Sequence, residues 1–478
     1  MTETGRPVML ATMLGLEGWD PVDQGLTPPP RAEVRPAQFR APGYEDILPA
    51  SDRFLELDAY SLGIQAVIYG CAPVALYMRM MEMAGDSTSP EFVGFHRFRH
   101  ASAPTAEPNI VTSEAWLDLS EDPAVLTVPD MGGRYYTACF QDLFANASNI
   151  GPRTYGGGAG RFAILPPGWS GELPDEVTPF PVASRYLRLL LHLETEGPED
   201  ALSLQALRSR FGLQPLQAYR GGVHRQTTAL PPPPSLVQPL PPLEFYRLLG
   251  EALRAGGVPE RDRGLVAAFA RFGLRPDRRF APEELSPATR RGLVEAHDDA
   301  LAMIDGSASQ IFRSLGGWST ADLGMYGDNH LQRAVASRRQ PDANVKEECL
   351  TFTAEADGEG VPLDGGKNSY LLRFAPGALP PVNGFWSLAL AERSSGRPFA
   401  HALRGQARGS SSASLVLDAN GGLEIRIQAT APANAVAANW LPAPTAPFSL
   451  VLRSYRPRPA MLEGDWQPPP VVPLPPSE

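Results

Sequence analysis

The chain has 478 residues, too many for one ordinary hydrophobic core, and this length predicts two or three domains. Its hydrophobic content of 43% and charged content of 20% are typical of a globular protein and exclude a disordered chain. The net charge of −11 disfavours a nucleic-acid partner, because phosphate binding needs a concentrated basic surface.

The N-terminal sequence predicts the cellular location. The first twenty residues lack the basic start and the unbroken apolar stretch of a secretory signal, and they include Glu3, Glu17 and Asp20. No apolar run reaches the roughly 18 residues that a membrane helix needs. We therefore expect a cytoplasmic protein with no membrane partner.

The first 85 residues predict an irregular arm followed by helix. Repeated prolines in residues 1–50 break every period, so this arm is expected to be extended. A helix is then predicted from Ser51 to about Gly85. Gly70 and Pro73 are expected to interrupt it and to leave a second helical piece over Ala75–Met83.

From Glu114 to Leu165 the pattern changes to short alternating strands, which predict an antiparallel sheet. Its central feature is a pair of strands, Arg134–Asp142 and Arg161–Leu165. We expect them to pair across a glycine-rich crossing at Asn146–Gly160. Residues 51–230 are therefore predicted to be an N-terminal domain of helix and antiparallel sheet.

Residues 231–335 predict a proline-rich linker and a helical segment, with helices at Leu243–Ala255, Pro259–Phe272 and Pro287–Leu315. Residues 336–478 return to strands and predict a jelly-roll-like β-sandwich with a proline-rich tail. The expected strands are LTFTAEA, NSYLLRF, GFWSLALAE, SLVLDA, LEIRIQA and FSLVLRSY. The predicted fold class is mainly β with a helical insert (α+β).

Several long stretches are distinctive: AVIYGCAPVALYMRM (66–80), AWLDLSEDPAVLTVPDMGGRYY (115–136), IGPRTYGGGAGRFAILPPGW (150–169), VPLDGGKNSYLLRFAPGALPPVNGFWSLAL (361–390) and NWLPAPTAPFSLVLRSYRP (439–457). In these stretches the chain resembles the bacterial tandem proteins made of two domains of unknown function, numbered twelve-fifty-four (N-terminal) and twelve-fourteen (C-terminal). The resemblance covers about residues 55 to 470. It implies a β-rich protein with a jelly-roll-like C-terminal domain, and no cofactor is established for the family as a whole.

The chain departs from that family in one strand. Family members usually carry a polar strand of the form P-N-N-D-T-L-Y-S before a Trp-Leu-Asp-Leu run, and many are secreted or lipid-anchored. Here residues 108–114 read PNIVTSE, so the Asp and the Tyr are missing and Glu114 has no counterpart. If this strand lines a pocket, the pocket chemistry has changed, which suggests a specialised role in secondary metabolism.

A cationic cluster precedes this strand: His96, Arg97, Arg99 and His100. Because the pKa of histidine lies near neutrality, His100 near Glu114 is a candidate acid–base pair. A surface basic patch or a structural histidine is the alternative that remains open.

The predicted catalytic residues are His100, Glu114 and Asp142. The predicted substrate-binding residues are Arg99, Asn109, Tyr135, Tyr136, Phe140 and Arg153. Arg153 is a candidate to clamp a carboxylate, or else to pair with Asp142 and hold two strands together. Because side chains alternate along a strand, they cannot all face one pocket.

Other motifs favour simpler interpretations. The glycine run 156–160 lacks the Gly-Lys-Ser/Thr ending of a phosphate loop and precedes a strand, so it predicts a turn. Neither a Gly-x-Ser-x-Gly elbow nor a His-Glu-x-x-His motif occurs, and the three cysteines lack CxxC spacing. No metal and no cofactor are expected. Asp328-Asn329-His330 is a second compact polar group with histidine.

These observations favour a cofactor-independent enzyme, namely an isomerase, cyclase or lyase acting on a small organic substrate. The alternative is a non-catalytic β-sandwich protein that binds ligands or assembles into oligomers. In either case we expect a homo-oligomer.

Overall fold

The computed structural model describes residues 51–101, 109–223, 240–393, 398–406, 415–432 and 439–474. The described residues from Asp52 onward belong to one compact unit. The predicted arm at 1–50, the proline-rich stretch at 231–234 and most of the segment around Ser410 lie outside the described residues.

The first helix, α1, runs unbroken from Ser51 to Met80 and ends in a π-helical turn at Met81–Gly85. The predicted break at Gly70 and Pro73 is therefore wrong. An interior proline costs about 3 kcal/mol of helix stability. Burial of the helix outweighs this cost, because most residues between 66 and 83 are buried in the largest hydrophobic core.

The glycines of α1 mark close helix contacts. Gly63 and Gly70 are seven residues apart and lie on one face. A Cβ on Gly63 would come within 2.7 Å of Ala296 Cβ, and a Cβ on Gly70 within 2.8 Å of Leu249 Cδ2. Gly70 therefore allows a neighbouring helix to approach and does not end α1.

The N-terminal β-region contains two sheets. Their strands and short helices are β1 (Arg99–His100), β2 (Ile110–Asp118), β3 (Ala124–Val128), β4 (Tyr136–Gln141), β5 (Ala147–Ile150), β6 (Gly160–Leu165), β7 (Thr178–Pro181), β8 (Tyr186–Glu194), α2 (Ala201–Arg208), β9 (Gly212–Pro215) and α3 (Leu216–Tyr219). The five-stranded sheet has the order β1-β2-β8-β4-β5, and the second has the order β7-β6-β3-β9. One hydrophobic core, which includes Leu117, Leu126 and Leu189, joins the two sheets.

The strand pairing predicted for Arg134–Asp142 and Arg161–Leu165 is wrong. β4 pairs with β5 and β8, whereas β6 pairs with β3 and β7. The reason is that the predicted crossing contains strand β5, which is the hairpin partner of β4. The five-stranded sheet is antiparallel throughout, as predicted.

The middle of the chain is helical, as predicted. It contains α4 (Pro242–Gly256), α5 (Arg263–Ala268), α6 (Pro287–Gly306), α7 (Ala308–Ile311) and α8 (His330–Arg339), with 3-10 turns at Glu260–Asp262, Phe269–Phe272 and Pro282–Glu284. The helix predicted for Pro287–Leu315 ends early at Gly306, and Arg313–Leu315 is a strand.

The C-terminal part is a two-sheet sandwich. Its elements are β10 (Arg313–Leu315), β11 (Trp318–Thr320), β12 (Cys349–Ala354), β13 (Ser369–Phe374), β14 (Phe385–Glu392), β15 (Pro398–Gln406), β16 (Leu423–Gln428), β17 (Trp440–Pro442), β18 (Phe448–Tyr455), α9 (Pro459–Leu462) and β19 (Val472–Leu474). The sheet orders are β10-β11-β12-β18-β14-β15 and β17-β16-β13-β19. Residues of both sheets, such as Leu388 and Ile425, share one core. The sandwich is as predicted, and its jelly-roll connectivity stays a prediction.

One predicted C-terminal strand, SLVLDA, is wrong over its described residues. Residues 415–418 are not in a strand, and Asp418 instead holds a turn. Its Oδ1 accepts hydrogen bonds from Asn420 N at 2.8 Å and Gly422 N at 2.9 Å. Gly421 lies in this turn with φ 87°.

Candidate functional site

One face of the five-stranded sheet is polar and buried. Strand pairing aligns Thr112, His192 and Thr137 across β2, β8 and β4. We call the following set the polar face: Thr112, Glu114, Thr137, Gln141, Asn149, Arg188, His192 and Glu194. All of them except Thr112 are less than a tenth exposed. The opposite face carries the leucines of the core, as alternation along the strands requires.

Glu114 is a buried carboxylate of the polar face. Arg79, in the last turn of α1, donates from Nη2 to Glu114 Oε2 at 2.7 Å and from Nε to Oε1 at 3.2 Å. Arg188 donates from Nε to Oε1 at 2.7 Å. A buried carboxylate is tolerated only with such partners, so the two arginines hold Glu114 in place.

These two arginines fix the charge of Glu114. Burial pushes the pKa of the Glu114 carboxyl upward, but the charges and hydrogen bonds of Arg188 and Arg79 outweigh burial and hold this pKa below its ordinary value. Glu114 is therefore ionised at neutral pH and is a poor proton donor.

The ion pairs continue outward from Glu114 in two directions. On one side, Arg79 also pairs with Glu82 at 3.2 Å and with Glu91 at 3.3 Å, next to the π-helical turn. On the other side, Arg188 donates to Asp342 Oδ1 at 2.7 Å. The network thus connects the end of α1 with the chain that leads into the C-terminal sandwich.

The segment 341–348 lies along the polar face. Gln141 Nε2 donates to the carbonyls of Pro341 and Ala343, each at 3.2 Å. Val345 packs against a small apolar patch of the sheet that includes Cys139. The start of the C-terminal region therefore covers part of the face.

Glu348 ends this segment and is fully buried. Its Oε1 accepts a hydrogen bond from the Tyr135 hydroxyl at 2.8 Å, and its Oε2 accepts one from Arg153 Nε at 2.8 Å. Burial and the nearby Glu348 charge raise the pKa of Tyr135 well above its ordinary value, so the phenol keeps its proton and remains the donor.

His192 lies near the centre of the polar face. It occupies strand β8, directly between Thr112 and Thr137, and it is 8% exposed. Its neighbours on the same side of β8 are Leu190 and Glu194. An imidazole can gain and lose a proton near neutral pH, unlike the paired carboxylate of Glu114.

Two buried amide atoms beside the face have no hydrogen-bond partner among the described residues. They are Asn149 Oδ1 and Asn344 Nδ2. Asn149 Nδ2 donates a hydrogen bond to Thr137 Oγ1 at 3.0 Å, and Asn344 Oδ1 accepts one from Val345 N at 2.8 Å. Buried polar atoms are nearly always paired with protein, water or ligand, so these two atoms remain available to a water or a ligand.

Two family models match the chain in sequence. Residues 92–215 match the model described as "Protein of unknown function (DUF1254)", and residues 348–459 match the model described as "Protein of unknown function (DUF1214)". The chain is a tandem DUF1254–DUF1214 protein. The resemblance seen in the sequence is thereby confirmed, and Glu348 is the first residue of the DUF1214 match.

The fold is similar to that of solved proteins. A crystal structure of the VPA0106 protein from Vibrio parahaemolyticus matches with a TM-score of 0.67 at 20% identity, covering 89% of this chain and 100% of that one. A putative uncharacterized protein from Burkholderia cenocepacia matches with a TM-score of 0.42 at 12% identity, covering 90% and 98%. No curated protein matches the chain. The first similarity shows the fold alone.

The structure does not bring the predicted acid–base pair together. On the edge strand of the DUF1254 sheet, Arg99 lies opposite Glu114 and His100 opposite Ser113. His100 Nδ1 is 2.8 Å from Ser113 Oγ, on the side of the sheet away from Glu114. Burial lowers the pKa of His100. The two residues therefore do not share one site.

Asp142, the third predicted catalytic residue, holds the turn between β4 and β5. Its Oδ1 accepts from Phe144 N at 2.8 Å and Asn146 N at 2.9 Å, and its Oδ2 accepts from Asn146 Nδ2 at 3.0 Å. Burial raises the pKa of Asp142 despite these bonds. The alternative in which Arg153 pairs with Asp142 is wrong, because Arg153 pairs with Glu348.

The predicted binding residues do not lie together in one place. Tyr136 and Phe140 point into the DUF1254 core, and the contact shown for Asn109 is made by its backbone carbonyl, which accepts from Thr195 N at 2.9 Å. Tyr135 and Arg153 meet at Glu348, as described above. Arg99 pairs with Glu91 at 2.8 Å, at the outer end of the ion-pair network.

Sequence reasoning missed Arg188, His192 and Glu348. The first two were detectable. In YLRLLLHLE, residues 186–194, the polar side chains stand two or four residues apart in a run of leucines, which places them on one face of a strand. Glu348 carried no such pattern, because its partners lie 195 and 213 positions away in sequence.

Other features of the described residues lie apart from the polar face. A shallow groove on α4 and α6 is lined by Leu243, Arg290, Arg291, Val294 and Glu295. No three His, Cys, Asp or Glu side chains in the described residues form a group that could hold a metal ion. The helical stretch Asp52–Gly85 is long and apolar enough to cross a membrane, but 67% of its most apolar window is buried, as in a core helix.

Proposed function

We propose that this protein binds a small organic molecule at the polar face and converts it by proton transfer, as an isomerase, cyclase or lyase without a cofactor. The supporting observation is the concentration of buried polar side chains on one sheet face between the DUF1254 core and the segment 341–348. Perturbed and convergent polar groups of this kind are typical of functional sites.

His192 is the proton carrier in this proposal. It lies between Thr112 and Thr137 on the face, and its imidazole can act as acid and base near neutral pH. Glu114 takes a different role. Because Arg79 and Arg188 keep it ionised, it fixes these arginines and supplies a constant negative charge.

The unpartnered amide atoms of Asn149 and Asn344 would orient the substrate. Neither atom has a partner in the described part of the chain, and an amide can both donate and accept. A small molecule with one acceptor and one donor would satisfy both, which is the pattern expected in a site with few, specifically placed polar groups.

The test is a search for turnover. Purified protein is incubated with small-molecule extracts, and changes in composition are followed by liquid chromatography and mass spectrometry. His192→Gln is compared with His100→Gln, since His100 lies on the other side of the sheet. We expect conversion by the wild type, a loss of about 10²–10⁴-fold in His192→Gln, and little change in His100→Gln.

The rival function is a binding or assembly protein in which the polar face only joins segments of the chain. In that case no extract component changes, or His192→Gln converts substrate as fast as the wild type. Thermal unfolding of each variant shows whether a loss of activity is a loss of folding.

A further inference from the structure

Arg153 lies in a rigid turn that follows strand β5. The Thr154 hydroxyl accepts a hydrogen bond from Gly151 N at 3.2 Å and donates to the Asn149 carbonyl at 3.0 Å. Tyr155 N donates to the Gly151 carbonyl at 3.0 Å. Arg153 therefore starts from a backbone position that is fixed at both ends of the turn.

The guanidinium of Arg153 is held from one side only, as far as the described residues show. Its Nε donates to Glu348 Oε2 at 2.8 Å, and Glu348 is itself fully buried and held by the Tyr135 hydroxyl. The Arg153 side chain remains 31% exposed. A buried carboxylate thus sets the orientation of a guanidinium that still reaches solvent.

The far edge of this guanidinium is available to a ligand. Among the residues that the structure describes, Nη1 and Nη2 of Arg153 form no hydrogen bond or ion pair. Two parallel N–H groups at this edge match the two oxygens of a carboxylate. Because Glu348 already fixes the plane, little side-chain entropy remains to be lost on binding.

A second arginine beside Glu348 also has an unused nitrogen. Arg456 N donates to the Glu348 carbonyl at 2.8 Å, and Arg456 adopts φ 54°, a left-handed conformation that is uncommon for residues other than glycine. Its buried Nε has no acceptor within the described ranges. Glu194, another carboxylate here, accepts from Tyr135 N at 2.9 Å. Strained residues of this kind cluster at ligand sites.

We propose that the free edge of Arg153 binds a carboxylate group of the molecule that the polar face holds. This inference rests on the proposed function and names its substrate class. Tyr135, which holds Glu348, lies one residue before β4 and two positions from Thr137, a step of about 7 Å in an extended chain, and Thr137 is paired with His192. The substrate is therefore a carboxylic acid whose reacting centre lies a few bonds from the carboxylate.

The test is binding of simple acids. Succinate, benzoate and octanoate are titrated into the wild-type protein by calorimetry, each beside its primary amide. At least one acid is expected to bind at least tenfold more tightly than its amide. Arg153→Lys keeps the positive charge beside Glu348 but loses the two parallel N–H donors. It is expected to weaken binding of that acid at least tenfold.

His192→Gln separates this inference from the proposed function. It is expected to keep acid binding, because His192 does not contact the carboxylate. If the acids bind through Arg153 and no turnover is found, the carboxylate site stands and the proposed reaction fails. If turnover is found and Arg153→Lys binds acid as the wild type does, the carboxylate site is overturned.

A crystal structure of the wild type with the tightest acid is the second measurement, and it does not depend on a variant that folds. The carboxylate is expected within hydrogen-bond distance of Arg153 Nη1 and Nη2. A carboxylate bound elsewhere, or no binding by any of the three acids, contradicts the inference.

Discussion

The hydroxyl of Tyr135 donates a 2.8 Å hydrogen bond to Glu348, although 213 positions separate the two residues. Tyr135 belongs to the DUF1254 match, and Glu348 is the first residue of the DUF1214 match. Glu348 is fully buried, so this bond joins the two domains where water is excluded. The same carboxylate holds Arg153, which makes the domain contact part of the candidate site.

Tyr135 and its neighbour provide a matched pair of substitutions. Tyr135→Phe leaves Glu348 Oε1 without its donor and is expected to lower the free energy of unfolding by about 2 kcal/mol. Tyr136→Phe removes a buried hydroxyl that has no partner among the described residues. It is expected to change stability by less than about 0.5 kcal/mol. Urea denaturation measures both, and equal losses would contradict the role of Glu348.

Glu114 can be compared with Glu82 in the same ion-pair network. Glu114→Gln leaves Arg79 and Arg188 without their shared buried anion and is expected to cost about 3–5 kcal/mol. Glu82 lies at the exposed end, where its side chain is 30% exposed. Glu82→Gln is expected to cost less than about 1 kcal/mol. Denaturant unfolding checks the difference, and a cost for Glu82→Gln that matches Glu114→Gln would be evidence against a buried centre.

Two helical glycines are expected to respond oppositely to alanine. A Cβ on Gly292 would lie 2.2 Å from the Glu56 carbonyl oxygen, which is backbone and cannot rotate away. Gly292→Ala is expected to destabilise by about 1–3 kcal/mol. Gly264, also helical, has no described atom within 4 Å of the position that a Cβ would take, and Gly264→Ala is expected to stabilise by up to about 1 kcal/mol. Thermal unfolding of the two variants should shift in opposite directions.

His330 makes stability depend on pH. Burial and the nearby Arg333 lower its pKa, and Arg261 acts in the same direction, whereas Asp262 and Asp328 oppose them. Its Nε2 is 3.7 Å from Asp262 Oδ1. As pH falls, His330 takes up a proton in the unfolded chain before it does so in the folded chain. The stability that neutral His330 contributes is therefore complete above about pH 6.5. It is lost as pH falls from there through the lower folded pKa.

An NMR titration of the His330 imidazole tests this directly. The midpoint is expected below about 6.5, and His330→Asn is expected to flatten the fall in stability on the acid side. A midpoint at or above the value for a free histidine would mean that Asp262 and Asp328 outweigh burial and Arg333.

The strands were predictable where one face meets water. The stretch LEIRIQA was predicted to be a strand, and within it buried and partly exposed residues alternate over Leu423–Gln428. Strand partners were not predictable, because pairing depends on contacts far along the chain. For example, β4 lies beside β8, although β5, β6 and β7 separate the two strands in the sequence. Pro73 was misleading for the same reason, since tertiary burial outweighed its local preference.

The candidate site was predictable in part. Glu114 and Arg153 were identified from the sequence, and the structure shows both in ion pairs, Glu114 with the buried Arg188 and Arg153 with the buried Glu348. Their partners could not be inferred, since Arg188 and Glu348 lie 74 and 195 positions away. His100 was placed with Glu114 because the two are near in sequence. Adjacent residues of a strand point to opposite faces, and the strand pairing sets His100 opposite Ser113.

Ligand binding at the polar face is best tested by native mass spectrometry of the protein purified from its own host, before and after denaturation. We expect a small molecule that is released on unfolding and contains a carboxylate. Its occupancy is expected to fall in Arg153→Lys but not in His100→Gln. A bare polypeptide mass that stays unchanged when small-molecule extract is added would contradict the claim that the polar face is a ligand site.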